Sequence, residues 1–304
     1  MPEEQIPGLS DYFREVDEES QAKLALAREC GDKKGEAKIL YNLGGHYLFF
    51  SSGNIQGAID YHQQALALAR EIGDKHREAQ CLAGLGTCCT VPWERTKKDH
   101  LQASHFFEAA LTVAREINDQ GLEGQYLGDL GWSRLNLHDY VGAEQHFEQA
   151  LAIARKIADR KLEMGQLSHL GSLFYQQENY ERALSAFEAA AVIAHEIEDQ
   201  FAVAYNLGQI CSLHHSLKNY PQAIHSIEQA IAVYEAIGKR GLFLTANSLV
   251  QLADIYAEMQ NYQQAIACWE RALAVDHPYV QSGSLWDHIQ EQIAEARAKM
   301  DGQS

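Results

Sequence analysis

The chain has 304 residues, room for two ordinary domains or for one array whose core grows repeat by repeat. Its 25 lysines and arginines face 42 aspartates and glutamates, a formal charge of -17 that makes nucleic acid and anionic membrane poor bulk partners. No apolar run approaches the roughly 20 residues of a membrane helix, and MPEEQIPGLSDYF lacks the basic and apolar regions of a secretory signal, so a cytoplasmic protein is expected.

The first predicted element is a lone helix within residues 9 to 30, where QAKLALARECGD matches QQALALAREIGD at 63 to 74. The matched unit then recurs. NIQGAIDYHQQALALA begins at Asn54, DHLQASHFFEAALTVA at Asp99, DYVGAEQHFEQALAIA at Asp139, NYERALSAFEAAAVIA at Asn179, NYPQAIHSIEQAIAVY at Asn219 and NYQQAIACWERALAVD at Asn261. The spacings are 45, 40, 40, 40 and 42 residues, too regular for chance.

Every copy opens on Asn or Asp, which can cap a helix N-terminus. Four residues on stand Ala58, Ala103, Ala143, Ala183, Ala223 and Ala265, and seven further Ala65, Ala110, Ala150, Ala190, Ala230 and Ala272. These spacings fall on one helix face, giving an alanine stripe that a neighbour can approach closely. Between the alanines a bulkier residue recurs: His62, Phe107, Phe147, Phe187, Ile227 and Trp269. A second helix precedes each copy, marked by a large residue followed by a small one: Leu43-Gly44, Leu85-Gly86, Leu130-Gly131, Leu170-Gly171, Ile210-Cys211 and Leu252-Ala253. Asp32, Asp74, Asp119 and Asp159 each precede a Glu by four residues (Glu36, Glu78, Glu123, Glu163), acids suited to the positive end of a helix dipole. Gly31 and Gly73 fit the end of the helix before.

The second copy is five residues longer than its neighbours, and the excess falls near VPWERTKKDH at 91 to 100. Pro92 breaks the helix. Trp93, Arg95, Lys97 and Lys98 make an aromatic and basic tip, read either as a tolerated surface insertion or as a contact site. Beyond Pro278, SLWDHIQEQIAEARAKM (284 to 300) predicts a C-terminal helix covering the last apolar edge. With helices closing both ends, the chain is expected to be a complete protein.

The order of Leu-Gly, then Ala, then Phe, then Ala resembles the tetratricopeptide repeat across about residues 35 to 275. The common form of that repeat is 34 residues long and ends in a helix-stopping proline. Here the corresponding places hold Arg70, Arg115, Arg155, His195, Glu235 and His277, so the second helix of each pair is expected to run on. Six extra residues add about 9 Å of helix per repeat. This looks like the 40 to 42 residue class of kinesin light chains and LGN-type adaptors. The resemblance implies an all-α, right-handed α-solenoid superhelix of antiparallel helix pairs with capping helices at both ends. Its expected divisions are an N-terminal cap at 1–32, repeats at 33–73, 74–118, 119–158, 159–198, 199–238 and 239–276, and a C-terminal cap and tail at 277–304.

In this family the first helix of each pair lines the concave inner face, and its positions carry over residue by residue. Two residues after each first helix begins lie Lys38, Gln80, Gln125, Tyr205 and Asn247, with Gly165 at the fourth such place. One residue before each large-small pair lie Asn42, Asp129, His169, Gln209 and Gln251, and Gly84. Tyr41, Trp132, Tyr175, His215 and Asp254 are expected to point the same way. Most are polar, where packing alone would call for apolar residues. Asn and Gln both donate and accept hydrogen bonds and can satisfy an extended peptide backbone, while Tyr and Trp add contact area at small entropy cost. The alternative is a face that is merely wet. Lys38 is the only base counted among these residues, so the carboxylate grip of the family's co-chaperones is not expected.

Phosphate-binding glycine loops, G-x-S-x-G and H-E-x-x-H are absent. The six cysteines form no C-x-x-C pair and read as buried thiols of a reducing compartment. Adjacent helical residues point about 100 degrees apart, so His214 and His215 do not readily share a metal. Carboxylates are expected on solvated helix faces with ordinary acidity. The reading is a non-enzymatic scaffold or adaptor that needs no cofactor or metal and binds a protein or extended peptide. A receptor for a small signalling peptide and an assembly factor for a protein complex are the alternatives; homo-oligomerisation is left open.

Overall fold

A computed structural model describes residues 9–49, 54–90, 96–275 and 284–301. Pro92, Trp93 and Arg95 of the predicted basic tip, His277 and Pro278 lie outside the described residues. Among those described, the chain is helical and no strand occurs. It divides into two compact units, residues 1–169 and 170–304, with the boundary inside helix α8.

The first unit contains α1 (Leu9–Glu29), α2 (Lys33–Phe49), α3 (Ile55–Ile72), α4 (Lys75–Thr90), α5 (Lys97–Glu116), α6 (Gln120–Asn136), α7 (Tyr140–Lys156) and the first part of α8 (Arg160–Gln176). Helices pack on their chain neighbours: α2 on α3, α4 on α5, α6 on α7, with α1 against α2 through Leu24 and Ala27. The second unit holds the rest of α8, α9 (Tyr180–Glu196), α10 (Gln200–Ser216), α11 (Tyr220–Ile237), a 3-10 turn (Gly238–Gly241), α12 (Leu242–Glu258), α13 (Tyr262–Leu273) and α14 (Ser284–Asp301). Here α10 packs on α9 and α11, α12 on α11 and α13, and α14 buries Ile289, Ile293 and Ala296 beside α13.

Steric complementarity explains the pairing. All twelve alanines of the stripe have no exposed surface, and the six large residues between them are at most 3% exposed. Each aromatic knob of the earlier copies enters the space a missing side chain leaves. A Cβ on Gly86 would stand 2.8 Å from Phe107, on Gly131 2.7 Å from Phe147, and on Gly171 2.8 Å from Phe187. Burying such a ring stabilises by about 1.5–3 kcal/mol, and the fit supplies the contacts that fix one arrangement.

The connections are chemically uniform. At each of the first four junctions between repeats an Asp does two things. Its N–H bonds back to a carbonyl five residues earlier (Asp32 to Ala27, Asp74 to Ala69, Asp119 to Ala114, Asp159 to Ala154). Its side chain then accepts from the new helix, at Gly35, Arg77, Leu122 and Leu162. As expected, α3, α5, α7, α9 and α11 run through Arg70, Arg115, Arg155, His195 and Glu235 instead of stopping there.

Two caps differ from expectation. Helix α5 begins at Lys97, capped by Thr96, because Thr96 and Asp99 form a reciprocal capping box; Asp99 is therefore inside the first turn, not at the cap. Asn219 makes no side-chain cap bond ahead of α11, whose first turn holds Pro221 and so offers fewer N–H donors.

Candidate functional site

The first unit carries eight of the predicted lining residues. Lys38, Asn42 and Gln125 are exposed, and Tyr41, Gln80, Asp129, Trp132 and His169 are half-buried. Five of them converge. Tyr41 and Asn42 from α2, Gln80 from α4, and Gln125 and Asp129 from α6 border a cavity of about 410 Å³. The convergence follows from the repeat, since one register position on successive packed first helices must recur side by side.

His62 of α3 lines the same cavity although it is only 2% exposed. It stands where the other copies carry a hydrocarbon knob or Trp269, and it is gripped between Gly44 and Gly84, where a Cβ would lie 2.6 or 2.7 Å from the imidazole. Its Nδ1 has no hydrogen-bond partner among the described residues, and burial pushes the imidazole down to about 4. The ring of Tyr41 lies 5.5 Å away, centroid to centroid.

Asp129 departs most from the expectation of ordinary carboxylates on wet faces. Burial pushes it up to about 7, and no positive charge or hydrogen-bond donor among the described residues opposes that rise. Its helix turns it toward α2 and α4 as part of the Gln125–Asp129–Trp132 series at four- and three-residue steps. Trp132 continues the series, its ring 5.3 Å from His169, which also stacks 5.2 Å from Phe147. Burial pushes His169 down to about 4.

Arg77 is a contributor that the sequence reading missed. Its guanidinium lies 5.0 Å over the Tyr41 ring and donates to Gln80 Oε1 at 2.7 Å. Its position three residues before Gln80 on one helix face is the signal that could have found it.

The second unit carries the other seven. Tyr175, Tyr205 and Asn247 are exposed; Gln209, His215, Gln251 and Asp254 are half-buried. Several are bonded across successive first helices. Tyr175 Oη lies 3.2 Å from Ser216 Oγ, Gln251 Nε2 donates to Ser212 Oγ at 2.9 Å, and His215 Nε2 lies 2.9 Å from a Glu258 carboxylate oxygen. Burial raises the Tyr205 hydroxyl, and a bond with Ser172 works against that rise. Asp254 too is raised by burial, but the Trp269 indole and then His288 and His215 oppose it. Ser172, Ser212, Ser216 and Glu258 were not among the expected residues; Ser172, Ser212 and Glu258 lie a helical turn from ones that were, and Ser216 follows His215.

Among the described residues no set of three or more His, Cys, Asp or Glu is placed to hold a metal ion, and no helix is long and apolar enough to cross a membrane. Cys81, Cys88 and Cys211 are buried, and burial pushes their thiols up to about 12, far from nucleophilic.

Comparison with known families and structures matches this arrangement. The tetratricopeptide repeat profile matches residues 93–156, and that of the soluble NSF attachment protein, SNAP, residues 136–277. No curated protein sequence matches the chain. BtubC from P. vanneervenii is similar in structure, with a TM-score of 0.64, 18% identity, and coverage of 76% of this chain and 96% of that one. A signal transduction ATPase with a tetratricopeptide repeat sensor, from Pyrococcus horikoshii, gives 0.63 at 17% identity over 94% of this chain but only 45% of its own. A Rap protein complexed with competence and sporulation factor gives 0.57 at 18% identity, covering 94% of this chain and 75% of that one. At such identities the likeness is one of fold.

Proposed function

Since the chain is a tetratricopeptide repeat protein, we propose that it is a non-enzymatic scaffold or adaptor that holds a peptide or protein segment along the polar faces of its first helices. The observation that supports this is the convergence of Tyr41, Asn42, Gln80, Gln125 and Asp129 from three first helices on one cavity. Amides there can pair with the backbone of an extended segment, and the Tyr41 and Trp132 rings offer area at low entropy cost.

A peptide library displayed on phage, selected against the full chain and reduced to one labelled sequence, supplies a ligand for the test. Combined Gln80→Ala, Gln125→Ala and Trp132→Ala changes are expected to weaken its saturable binding by about tenfold or more, with helical circular dichroism unchanged. Undiminished binding by that variant, or failure to enrich any peptide, counts against the reading.

The likeness to a Rap protein complexed with competence and sporulation factor favours a second reading, a receptor whose ligand changes the arrangement of its repeats. Small-angle scattering in the same titration separates the two. A radius of gyration that shifts at saturation supports the receptor, and an unchanged one the scaffold.

A further inference from the structure

We propose that the cavity of the first unit is a pocket for one basic side chain of a bound peptide, with the Asp129 carboxylate as its counter-ion. This rests on the peptide-binding reading and adds the ligand's chemistry to it.

The argument starts from an unmet electrostatic demand. Asp129 is half-buried, faces a cavity, and has neither an ion pair nor a side-chain hydrogen bond among the described residues. A carboxylate withdrawn from water without a partner is costly, and that cost is removed when a cation enters beside it. Nearby cations do not serve. Arg77 is turned to Gln80 and the Tyr41 ring, and His62 is neutral because burial pushes it down to about 4. The other ionisable side chains of the wall, Tyr41 and Tyr126, are phenols that burial holds protonated. Among the described residues of the wall, Asp129 is thus the one source of negative charge.

Size and surroundings agree with that occupant. A cavity of about 410 Å³ takes a lysine or arginine side chain with room for water. The carbonyl oxygens of exposed Asn42 and Gln125 provide further acceptors for a guanidinium's five donors. Leu48, Ala83 and Leu122 give apolar wall for the aliphatic stem, the division of labour that long basic side chains exploit. The chain's formal charge of -17 concentrates cations near it.

The test uses the full chain and a minimal probe. N-acetyl-arginine N-methylamide is titrated by NMR beside its citrulline analogue, which keeps the shape but replaces one NH2 by a carbonyl oxygen and has no charge. The arginine probe is expected to saturate, with the citrulline probe weaker by about tenfold or more and Asp129→Asn erasing the difference. Gly45→Leu fills the cavity from a wall position where a Cβ meets nothing within 4 Å, and is expected to block the probe. Equal affinity for the two probes, arginine binding unchanged in Asp129→Asn, or no saturation by arginine overturns the proposal. The two readings fail separately. A library-selected peptide that binds Asp129→Asn normally removes the basic pocket and leaves peptide binding standing. Arginine saturation without any enriched peptide does the reverse.

Discussion

In the first unit, successive repeats are joined by an arginine and a glutamate eight residues later. Arg28 to Glu36, Arg70 to Glu78, Arg115 to Glu123 and Arg155 to Glu163 all close at 2.7 to 2.9 Å. In the second unit the same pairs of positions are His195 and Val203, then Glu235 and Phe243. The contrast reverses on the first-helix face. There the second unit links Tyr175, His215 and Gln251 to side chains on neighbouring helices, while the first unit leaves Asp129 and His62 Nδ1 unpartnered around a cavity. One repeat pattern therefore serves two ends: junctions bridged by an ion pair around an unfilled polar site, and junctions without that pair beside a face that bonds to itself. A row of polar residues signals a ligand only where the row's own members do not meet each other's needs.

The sharpest way to break this comparison is to give the first copy the ring its relatives carry. His62 titrates near 4 when folded and near 6.5 when free, so below 6.5 the unfolded chain takes up a proton that the folded chain refuses. Stability is therefore lost as pH falls from about 6.5 to 4. His62→Phe removes that loss, and at pH 5 it is expected to gain about 2 kcal/mol over the parent in urea unfolding, with a smaller change at pH 8. A gain of the same size at both pH values would mean that packing, not the imidazole's burial, separates the copies.

A somewhat smaller effect is expected at Asp129, with the opposite pH sense. Its folded carboxyl holds a proton up to about 7 and its free one only to 3.8, so the folded chain binds more protons between these values. Stability falls as pH rises through that window, and the deficit is complete above it. Asp129→Asn is expected to stabilise by about 1–2 kcal/mol at pH 8, where water reaching the open cavity limits the effect, and by nothing near pH 4. Thermal unfolding with no pH-dependent difference would show the carboxylate to be already satisfied.

Residue pattern made much of the fold legible because steric matching is local. The fully buried alanines and the glycines facing Phe107, Phe147 and Phe187 repeat at fixed spacing, and small beside large has one packing solution. Turns were less legible. Gly73 marks its left-handed position, but Asn118, Ala158, Glu198, His138, Glu178, Lys218 and Gln260 adopt positive φ without being glycine, the closing hydrogen bonds outweighing about 1–2 kcal/mol of strain. The site was legible as a face and not as a set of partners. Register places Tyr175, Gln251 and His215, but what each bonds lies 39 to 43 residues away, on a neighbouring first helix. Asp129 and Asp254 are both first-helix aspartates raised by burial, at different register positions, yet Asp254 has an indole and two imidazoles working against its burial and Asp129 has none.

The junctions provide the finest test of the comparison. Burial works to raise Glu78 and Glu163, yet hydrogen bonds from Arg70 and Lys75, and from Arg155 and Arg160, outweigh it and hold both carboxyls below the usual range. Arg70 and Arg155 remain more than half exposed, so each of their bridges contributes only about 0.3–1 kcal/mol. In the second unit the vacated positions border an open apolar groove of about 730 Å³, where His195 and Val203 stand beside Val192, Leu207 and Val233. Installing the pair there as His195→Arg with Val203→Glu adds the attraction but takes Val203 out of apolar contact. The net gain is expected to be below about 0.5 kcal/mol at low salt and absent in about 1 M salt, where screening acts within 3 Å. Arg115→Ala is expected to lose a similar amount in the first unit, in 0.1 M but not 1 M salt. If instead the transplant stabilises strongly in high salt, its benefit is packing, and the bridge is not what distinguishes the two kinds of junction.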